Sequence, residues 1–284
     1  MKRLLIIPLL CLVGCSNTTE SVSDEAVKID YEDLSVDEIV DEKEQHVEDE
    51  PVPLTASERN LFNGAVDAIN AFLQWDSYYA VSSTEHIVHT DPDKSYTYKQ
   101  QLAYMKQPHE THLIYESENP AYMEIYANDT DGMYTNDSAD EPNWTYTMDP
   151  DIIDMWQEEP LPDTVELLRL IVDESETFTV VDEGAQSVEF FLSVPSTTID
   201  SMLDLGDSDP PFHMFLNLTL TMSFSERGVE EYTIVSDYVT LEEDEGQLII
   251  KEEFAEVNNL ANVRVPAHVK EQAVLDDSVI EWNE

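Results

Sequence analysis

Histidines, carboxylates and two cysteines are the side chains of this 284-residue sequence whose types could do chemistry. His86 and His89 are three residues apart, as are His109 and His112, and on a strand that spacing puts the two rings on opposite faces. We therefore expect surface or turn histidines and no metal site. The motifs G-x-S-x-G, H-E-x-x-H, G-x-x-x-x-G-K-S/T and C-x-x-C do not occur in the sequence. We expect neither an enzyme nor a bound cofactor.

Paired carboxylates are a further route to catalysis, because two acids of unequal pKa can act as acid and base. The sequence holds 62 Asp and Glu residues, so some pairs lie close together by chance and proximity identifies none of them. A hydrolase is therefore an alternative that requires a cleft holding a carboxylate pair of raised pKa.

The acidic segment Asp129-Thr130-Asp131-Gly132 has some features of a calcium-binding loop. Aligning Gly132 with the glycine of an EF-hand puts Ala127 at the first ligand position and Ser138 at the twelfth, where acids are required. The segment therefore predicts a hairpin turn rather than a calcium site.

The charge balance excludes two classes of partner. The 62 acidic and 13 basic residues give a formal net charge of -49 at pH 7, which repels nucleic-acid phosphates and anionic lipid headgroups. Hydrophobic residues make up 42% of the chain, which is enough to bury a core. We expect an acidic globular protein that does not bind nucleic acid.

The first fifteen residues, MKRLLIIPLLCLVGC, have the layout of an export signal. Lys2 and Arg3 precede an apolar stretch that is too short to span a bilayer, which needs roughly 20 residues. The end of this segment, Leu12-Val13-Gly14-Cys15, is similar to the lipobox of bacterial lipoproteins, whose cysteine is diacylated and becomes the first residue after cleavage. The resemblance implies that Cys15 is lipidated with palmitate-type chains. An ordinary secretory signal with an incidental cysteine is the alternative.

Lipidation of Cys15 would anchor the protein to the cell membrane, facing the extracytoplasmic side. We expect a signal peptide over 1–14, a lipidated cysteine and disordered acidic tether over 15–53, and a folded domain over 54–284. The tether is predicted because 16–53 contain 14 acidic and 2 basic residues and few large apolar ones. Cys11 would leave with the signal, so the mature chain would have no free thiol and no disulfide.

The folded part begins with a predicted helix. Thr55-Ala56-Ser57-Glu58 has the spacing of a capping box, and apolar residues then recur at steps of three and four to about Trp75. Strand segments bounded by turn residues follow at 78–89, 96–106, 111–116, 122–127, 133–136 and 144–148. Short helices are predicted at 151–157, 163–172 and 197–205, with strands between them at 178–181 and 188–194.

The clearest strand pattern covers 212–224, where every even position is apolar and the odd positions are mostly polar. This alternation predicts one long strand with one buried face, and a length of roughly 40 Å implies a strongly curved sheet. Glycine-containing turns then connect it to strands at 230–241 and 248–257. A brief helix is expected at 267–275.

The order of these parts resembles the LolA and LppX/LprG superfamily, and especially the LolA-like lipoproteins of Gram-positive bacteria. The resemblance covers 54–275 and rests on short motifs, which are Tyr122-Met123-Glu124-Ile125-Tyr126, Gly132-Met133-Tyr134, Trp144-Thr145-Tyr146, and Val263-Arg264-Val265-Pro266 with Val269. It implies an α+β fold in which a curved antiparallel sheet forms a half-open β-barrel, with the helices on its concave face. It also implies an apolar cavity for lipid or acyl chains.

The apolar stripe of the long strand is the predicted lining of that cavity, and packing as ordinary core is the alternative for each of its residues. The stripe consists of Met214, Leu216, Leu218, Leu220, Met222 and Phe224. LolA-type carriers are soluble shuttles, whereas this chain would be anchored. We therefore expect a stationary receptor, extractor or sensor for an apolar or lipidated ligand.

A structural or interaction protein is the second interpretation. It would hold a filled barrel on an acidic stalk and bind a protein partner through its outer face, for example through exposed rings among Tyr78, Tyr79, Tyr96 and Tyr98. The two interpretations differ in whether the concave face of the sheet is empty or filled.

Overall fold

The computed structural model describes residues 53–117, 122–157, 161–203, 212–241 and 243–275. The predicted signal peptide, Cys15 and all but the last residue of the predicted tether lie outside this part of the chain. Within it, no helix combines the length and the apolar character that crossing a membrane requires.

The first helix, α1 (Ala56–Ala71), begins at the predicted capping box. The Thr55 backbone N–H donates to Glu58 Oε2 at 2.7 Å, and the Glu58 N–H donates to Thr55 Oγ1 at 3.2 Å. Both bonds satisfy amide groups that have no partner inside the helix. The apolar spacing produces a buried stripe, and a 3-10 turn (Phe72–Gln74) ends the segment close to the predicted position.

Thirteen strands and four further helices follow among the described residues. The strands are β1 (Ser77–Val88), β2 (Tyr96–Met105), β3 (Glu110–Ser117), β4 (Tyr122–Asn128), β5 (Gly132–Asn136), β6 (Thr145–Thr147), β7 (Thr177–Asp182), β8 (Ser187–Leu192), β9 (Phe212–Phe215), β10 (Leu218–Ser225), β11 (Gly228–Thr240), β12 (Glu245–Ala255) and β13 (Val274–Leu275). The helices are α2 (Pro150–Gln157), α3 (Leu161–Glu174), α4 (Thr197–Leu203) and α5 (Ala267–Gln272).

These strands form one sheet in the order β13-β6-β5-β4-β3-β2-β1-β12-β11-β10-β8-β7, with β9 paired to β11 beside this path. The two ends of the order, β13 and β7, do not pair with each other, so the sheet is unclosed. Every pair is antiparallel except β6–β13, which corrects the expected purely antiparallel sheet at one edge. A large curved sheet combined with a few helices confirms the predicted α+β class.

The helices α1, α3 and α4 cover one face of the sheet, which we call the inner face. Their buried side chains join those of β1, β8, β10, β11 and β12 in the main hydrophobic core. Helix α2 packs Ile153 against Leu113, Ile125 and Met133 of β3–β5 in a second cluster. Helix α5 packs on the opposite, outer face of β4 and β5, because strand alternation points their other side chains toward it.

The prediction of a single strand over 212–224 is wrong, because the strand is interrupted at Leu216 and Asn217 and forms two strands, β9 and β10. The Asn217 side chain occupies the interruption: its Nδ2 donates to Asp237 Oδ2 at 2.8 Å, and its Oδ1 accepts from the Asp237 N–H at 3.3 Å. The side-chain amide thus takes part in bonds that a regular ladder would make through backbone groups.

The interruption also shifts the register by one residue. Phe215 pairs with Tyr238 on β11, whereas Leu220 pairs with Ile234, so one extra residue lies on this strand between the two pairs. Such a bulge moves subsequent side chains to the other face. An odd-numbered residue, Phe215, is therefore buried before the break, and even-numbered residues are buried after it.

Candidate functional site

The six residues predicted to line a ligand cavity fall into two groups. The four after the break, Leu218, Leu220, Met222 and Phe224, are at most 5% exposed and belong to the main core with α1 and α3. The two at the break, Met214 and Leu216, are each 41% exposed. None of the six lines the cavity between α3 and the sheet that is described next, and contact between any of them and a ligand stays a prediction.

A cavity of about 70 Å³ lies on the inner face between α3 and four adjacent strands, β2, β1, β12 and β11. Its apolar wall is formed by Ala80, Leu102, Leu167, Ile234 and Ile250, and its polar wall by Ser82, Thr84, Tyr98, Gln100, Asp163, Thr164, Tyr232 and Glu252. Ligand sites typically combine apolar walls with a few placed polar groups, in volumes of roughly 300 Å³ or more. The cavity therefore fits a small group, and a longer ligand requires α3 to move away from the sheet.

Small side chains on β1 create this cavity. Strand alternation puts the even residues of β1 on the inner face, and these change from the large Tyr78 to Ala80, Ser82 and Thr84. Ser82 lies at the centre, because it pairs with Gln100 of β2 on one side and with Glu252 of β12 on the other. The short side chains leave space under the first turns of α3, where Leu167 closes the wall.

A carboxyl group stands in the cavity wall. Glu252 and Tyr232 are register partners on β12 and β11, and the Tyr232 hydroxyl donates to Glu252 Oε2 at 2.6 Å. Burial raises the pKa of Glu252 to about 7, against the smaller lowering effect of the tyrosine hydrogen bond. Burial and the neighbouring carboxylate also raise the pKa of Tyr232 well above its usual value. The Glu252 carboxyl is therefore a group that gains or loses a proton near neutral pH.

Tyrosines continue along the inner face next to the cavity. The rings of Tyr98 and Tyr115 lie 5.6 Å apart, and the ring of Tyr96 stacks on His86 at 4.2 Å. Burial lowers the pKa of His86 to about 4, so its imidazole is neutral at pH 7. These neighbours add aromatic, uncharged side chains beside the cavity.

Of the four tyrosines among which exposed outer rings were expected, one lies on the outer face. Even-numbered residues of β1 and β2 face inward, so Tyr78, Tyr96 and Tyr98 lie on the inner face, and Tyr78 is 1% exposed. Tyr79 lies on the outer face, where its hydroxyl donates to Gln101 Oε1 at 2.7 Å.

The histidines are dispersed. His109 Nε2 lies 3.1 Å from the Tyr104 hydroxyl, and His112 Nε2 lies 2.9 Å from Glu124 Oε1. Among the described residues, no three potential metal ligands lie together.

The predicted hairpin turn between β4 and β5 is confirmed. Asn128 Oδ1 accepts hydrogen bonds from the N–H groups of Thr130 and Asp131, and Gly132 has a φ of +87°. The Asp131 carboxylate forms an ion pair with Lys270. The segment thus acts as a turn that α5 contacts.

Sequence reasoning missed Glu252 and Tyr232. The sequence contains one signal that could have identified Glu252. The inward-facing positions of β12 are Leu248, Ile250, Glu252 and Phe254, so a carboxylate stands among residues that are otherwise apolar. An acid at an inward position of an alternating strand needs a partner or a function. The convergence of Glu252 with Ser82 and with α3 depends on strand order, which the alternation does not specify.

No protein-family model matches the chain, and no curated protein sequence matches it. The solved structures that match the chain include the following two. A LolA superfamily protein from Nitrosomonas europaea shares 7% identity at a TM-score of 0.25, over 76% of this chain and 97% of that one. A DUF1329 family protein from Desulfovibrio piger shares 8% identity at a TM-score of 0.24, over 74% of this chain and 96% of that one. The described domain has the expected α+β fold, in which a large unclosed sheet carries a few helices.

Proposed function

We propose that this protein is a non-enzymatic lipoprotein, anchored through Cys15 on the extracytoplasmic side of the cell membrane, whose domain binds an apolar or lipidated ligand on the inner face of the sheet. The observation that carries the binding proposal is the cavity between α3 and the four central strands. Its mixed wall combines apolar surface with a small set of hydrogen-bonding groups, as expected of a site for an amphiphile.

A ligand with an acyl chain would have to separate α3 from the sheet. The buried side of α3 includes Val165, Leu168 and Ile171, so its displacement loses apolar packing. A chain of about twelve methylenes regains roughly 10 kcal/mol when it is removed from water, at about 0.8 kcal/mol per methylene. Chain burial can therefore offset the displacement of part of one helix.

Matched substitutions on β1 test whether the cavity binds the ligand. Ser82→Leu fills the cavity from its centre, whereas Ser83→Leu adds the same side chain on the outer face. Native mass spectrometry of the purified proteins measures whether a co-purified or added alkyl ligand is bound. We expect the ligand on the native and Ser83→Leu chains and no ligand on the Ser82→Leu chain. Equal ligand occupancy in all three proteins would place the ligand elsewhere, and no uptake by any of them would refute binding.

The two cysteines provide a matched test of anchoring. Cys15→Ser removes the proposed lipid attachment, and Cys11→Ser changes only the apolar stretch before it. In bacterial cells fed labelled palmitate, we expect the Cys15→Ser chain to lose the label and to leave the membrane fraction, while the Cys11→Ser chain keeps both. Labelling of the Cys15→Ser chain would refute the proposal.

A protein-binding platform is the second candidate, and the dense packing of the inner face favours it. The main core packs side chains of α1, α3 and α4 against that face, and the cavity beside α3 is small. Photocrosslinking from Tyr79 and Val81 on the outer face of β1, in intact cells, separates the two functions. A platform predicts one recurrent protein adduct at these positions, whereas a ligand-binding domain predicts lipid adducts at Ser82 instead.

A further inference from the structure

The described residues that form the polar wall of the cavity include no cationic side chain. Its two ionisable carboxyl groups are Glu252 on β12 and Asp163 in the first turn of α3, and none of the lining residues is Lys, Arg or His. The other polar groups are hydroxyls and one amide. A buried anion needs a cation or several donors, so this lining opposes a phosphate or a carboxylate headgroup.

Glu252 has an acceptor position available to a ligand. Its Oε2 accepts from Tyr232, and no other described residue hydrogen-bonds to the side chain. The carboxyl lies beside Ser82 in the register of β1 and β12, at the centre of the cavity wall. A ligand group that donates a hydrogen bond can therefore reach Oε1 without displacing a protein partner.

Two tyrosines add a second kind of recognition. Tyr98 and Tyr232 line the cavity with Glu252, and the faces of aromatic rings attract cations. The volume of about 70 Å³ corresponds to roughly two water molecules, at about 30 Å³ each, which suits a compact headgroup rather than a chain. A carboxylate, aromatic rings and a small volume are the features that recognise an ammonium group.

We propose that the cavity holds the ammonium headgroup of an amine-bearing amphiphile, with the nitrogen donating to Glu252 Oε1 and the chain lying between α3 and the sheet. This inference rests on the proposed function and adds the class of headgroup. The shift of the Glu252 pKa to about 7 means that an approaching cation ionises the carboxyl at little cost near neutral pH. The titratable groups around it are Tyr232 from β11, Tyr98 from β2 and Asp163 from α3.

Three probes with the same twelve-carbon chain separate headgroup from chain: dodecylamine, dodecanol and dodecanoate. Binding to the purified full-length protein is measured by isothermal titration calorimetry at about pH 8, below the concentrations at which the probes form micelles. About 0.5 M salt screens the acidic protein surface. We expect dodecylamine to bind about tenfold or more tightly than dodecanol, because it gains a charge-assisted hydrogen bond, and dodecanoate to bind most weakly.

A matched pair of substitutions assigns the preference to the cavity. Glu252→Gln should reduce the ratio of dodecylamine affinity to dodecanol affinity to near one. Glu253→Gln removes an acid from the outer face of the same strand, paired with Lys251, and should leave the ratio unchanged. Circular dichroism melts confirm that both variants fold.

The outcomes distinguish the two proposals. Equal binding of the three probes, tighter binding of dodecanoate, or an amine preference that survives Glu252→Gln would overturn the ammonium site and leave apolar binding intact. Failure of all three probes to bind would overturn the proposed function and the ammonium site together.

Discussion

Replacing Glu252 with glutamine should change how the stability of the domain depends on pH. Glutamine keeps an acceptor for the Tyr232 hydroxyl and the shape of the side chain, but it cannot ionise. The pKa of Glu252 rises from 4.5 to about 7 on folding because the carboxyl is buried. The folded chain therefore binds a proton more tightly than the unfolded chain over this interval.

The sign of the effect follows from proton linkage. A group whose pKa is raised by folding makes the protein less stable as pH increases through the interval between the two pKa values. Below about pH 4 both states are protonated and Glu252 contributes no penalty, whereas above about pH 8 the penalty is complete. A rise of the Glu252 pKa from 4.5 to about 7 corresponds to about 3 kcal/mol, because a tenfold change in proton affinity corresponds to about 1.36 kcal/mol. Glutamine should relieve this penalty at high pH only.

Urea unfolding followed by tryptophan fluorescence measures the effect in the native, Glu252→Gln and Glu253→Gln chains. The difference in unfolding free energy between Glu252→Gln and the native chain should increase by about 2 to 3 kcal/mol from about pH 4 to about pH 8. Glu253→Gln removes a charge from the exposed face of the same strand and supplies the matched control. A difference for Glu252→Gln that is independent of pH, or that falls as pH rises, would refute the buried-carboxyl argument.

Three further predictions concern the core, a turn and the charge. Leu220→Ala should reduce the unfolding free energy by about 2 to 5 kcal/mol, because Leu220 is fully buried, whereas Leu216→Ala should reduce it by about 0.5 kcal/mol or less. Equal losses of unfolding free energy in urea titrations would contradict the break at Leu216 and Asn217. Gly228→Ala should lower Tm, because Gly228 has a φ of +128° and an added Cβ would lie 2.8 Å from the Trp75 ring; an unchanged Tm would argue against this geometry. Residues 54–284 contain 48 acidic and 9 basic residues, so Tm should rise as salt increases from about 0.05 M to about 1 M, and a flat Tm in calorimetry would count against charge repulsion.

Much of the fold could be predicted because local patterns agree with the tertiary structure. The capping box at Thr55 and Glu58 forms as expected, and α1 buries the side that its apolar spacing marks. Most predicted strands are also found within one or two residues of their expected ends. Local sequence specifies these features, because caps and alternation depend on residues close together in the chain.

The break at Leu216 and Asn217 could not be predicted from alternation, because every even-numbered residue from 212 to 224 is apolar, before the break as well as after it. Its cause is a contact with Asp237, twenty residues away on a neighbouring strand. The residues that line the cavity were missed for the same physical reason. Ser82, Tyr232 and Glu252 become neighbours only when β1, β11 and β12 are assembled side by side.

The first strand of the domain pairs with one of the last, and this connection sets the order in which the chain can fold. β1 lies between β2 and β12 in the sheet, and Trp75 Nε1 donates to the Arg227 carbonyl across 152 positions of sequence. Forming such pairs requires the closure of a long loop, which costs entropy before the contacts form, so we expect slow folding. A chain that stops before β11 leaves β1 with an unpaired edge, which invites aggregation.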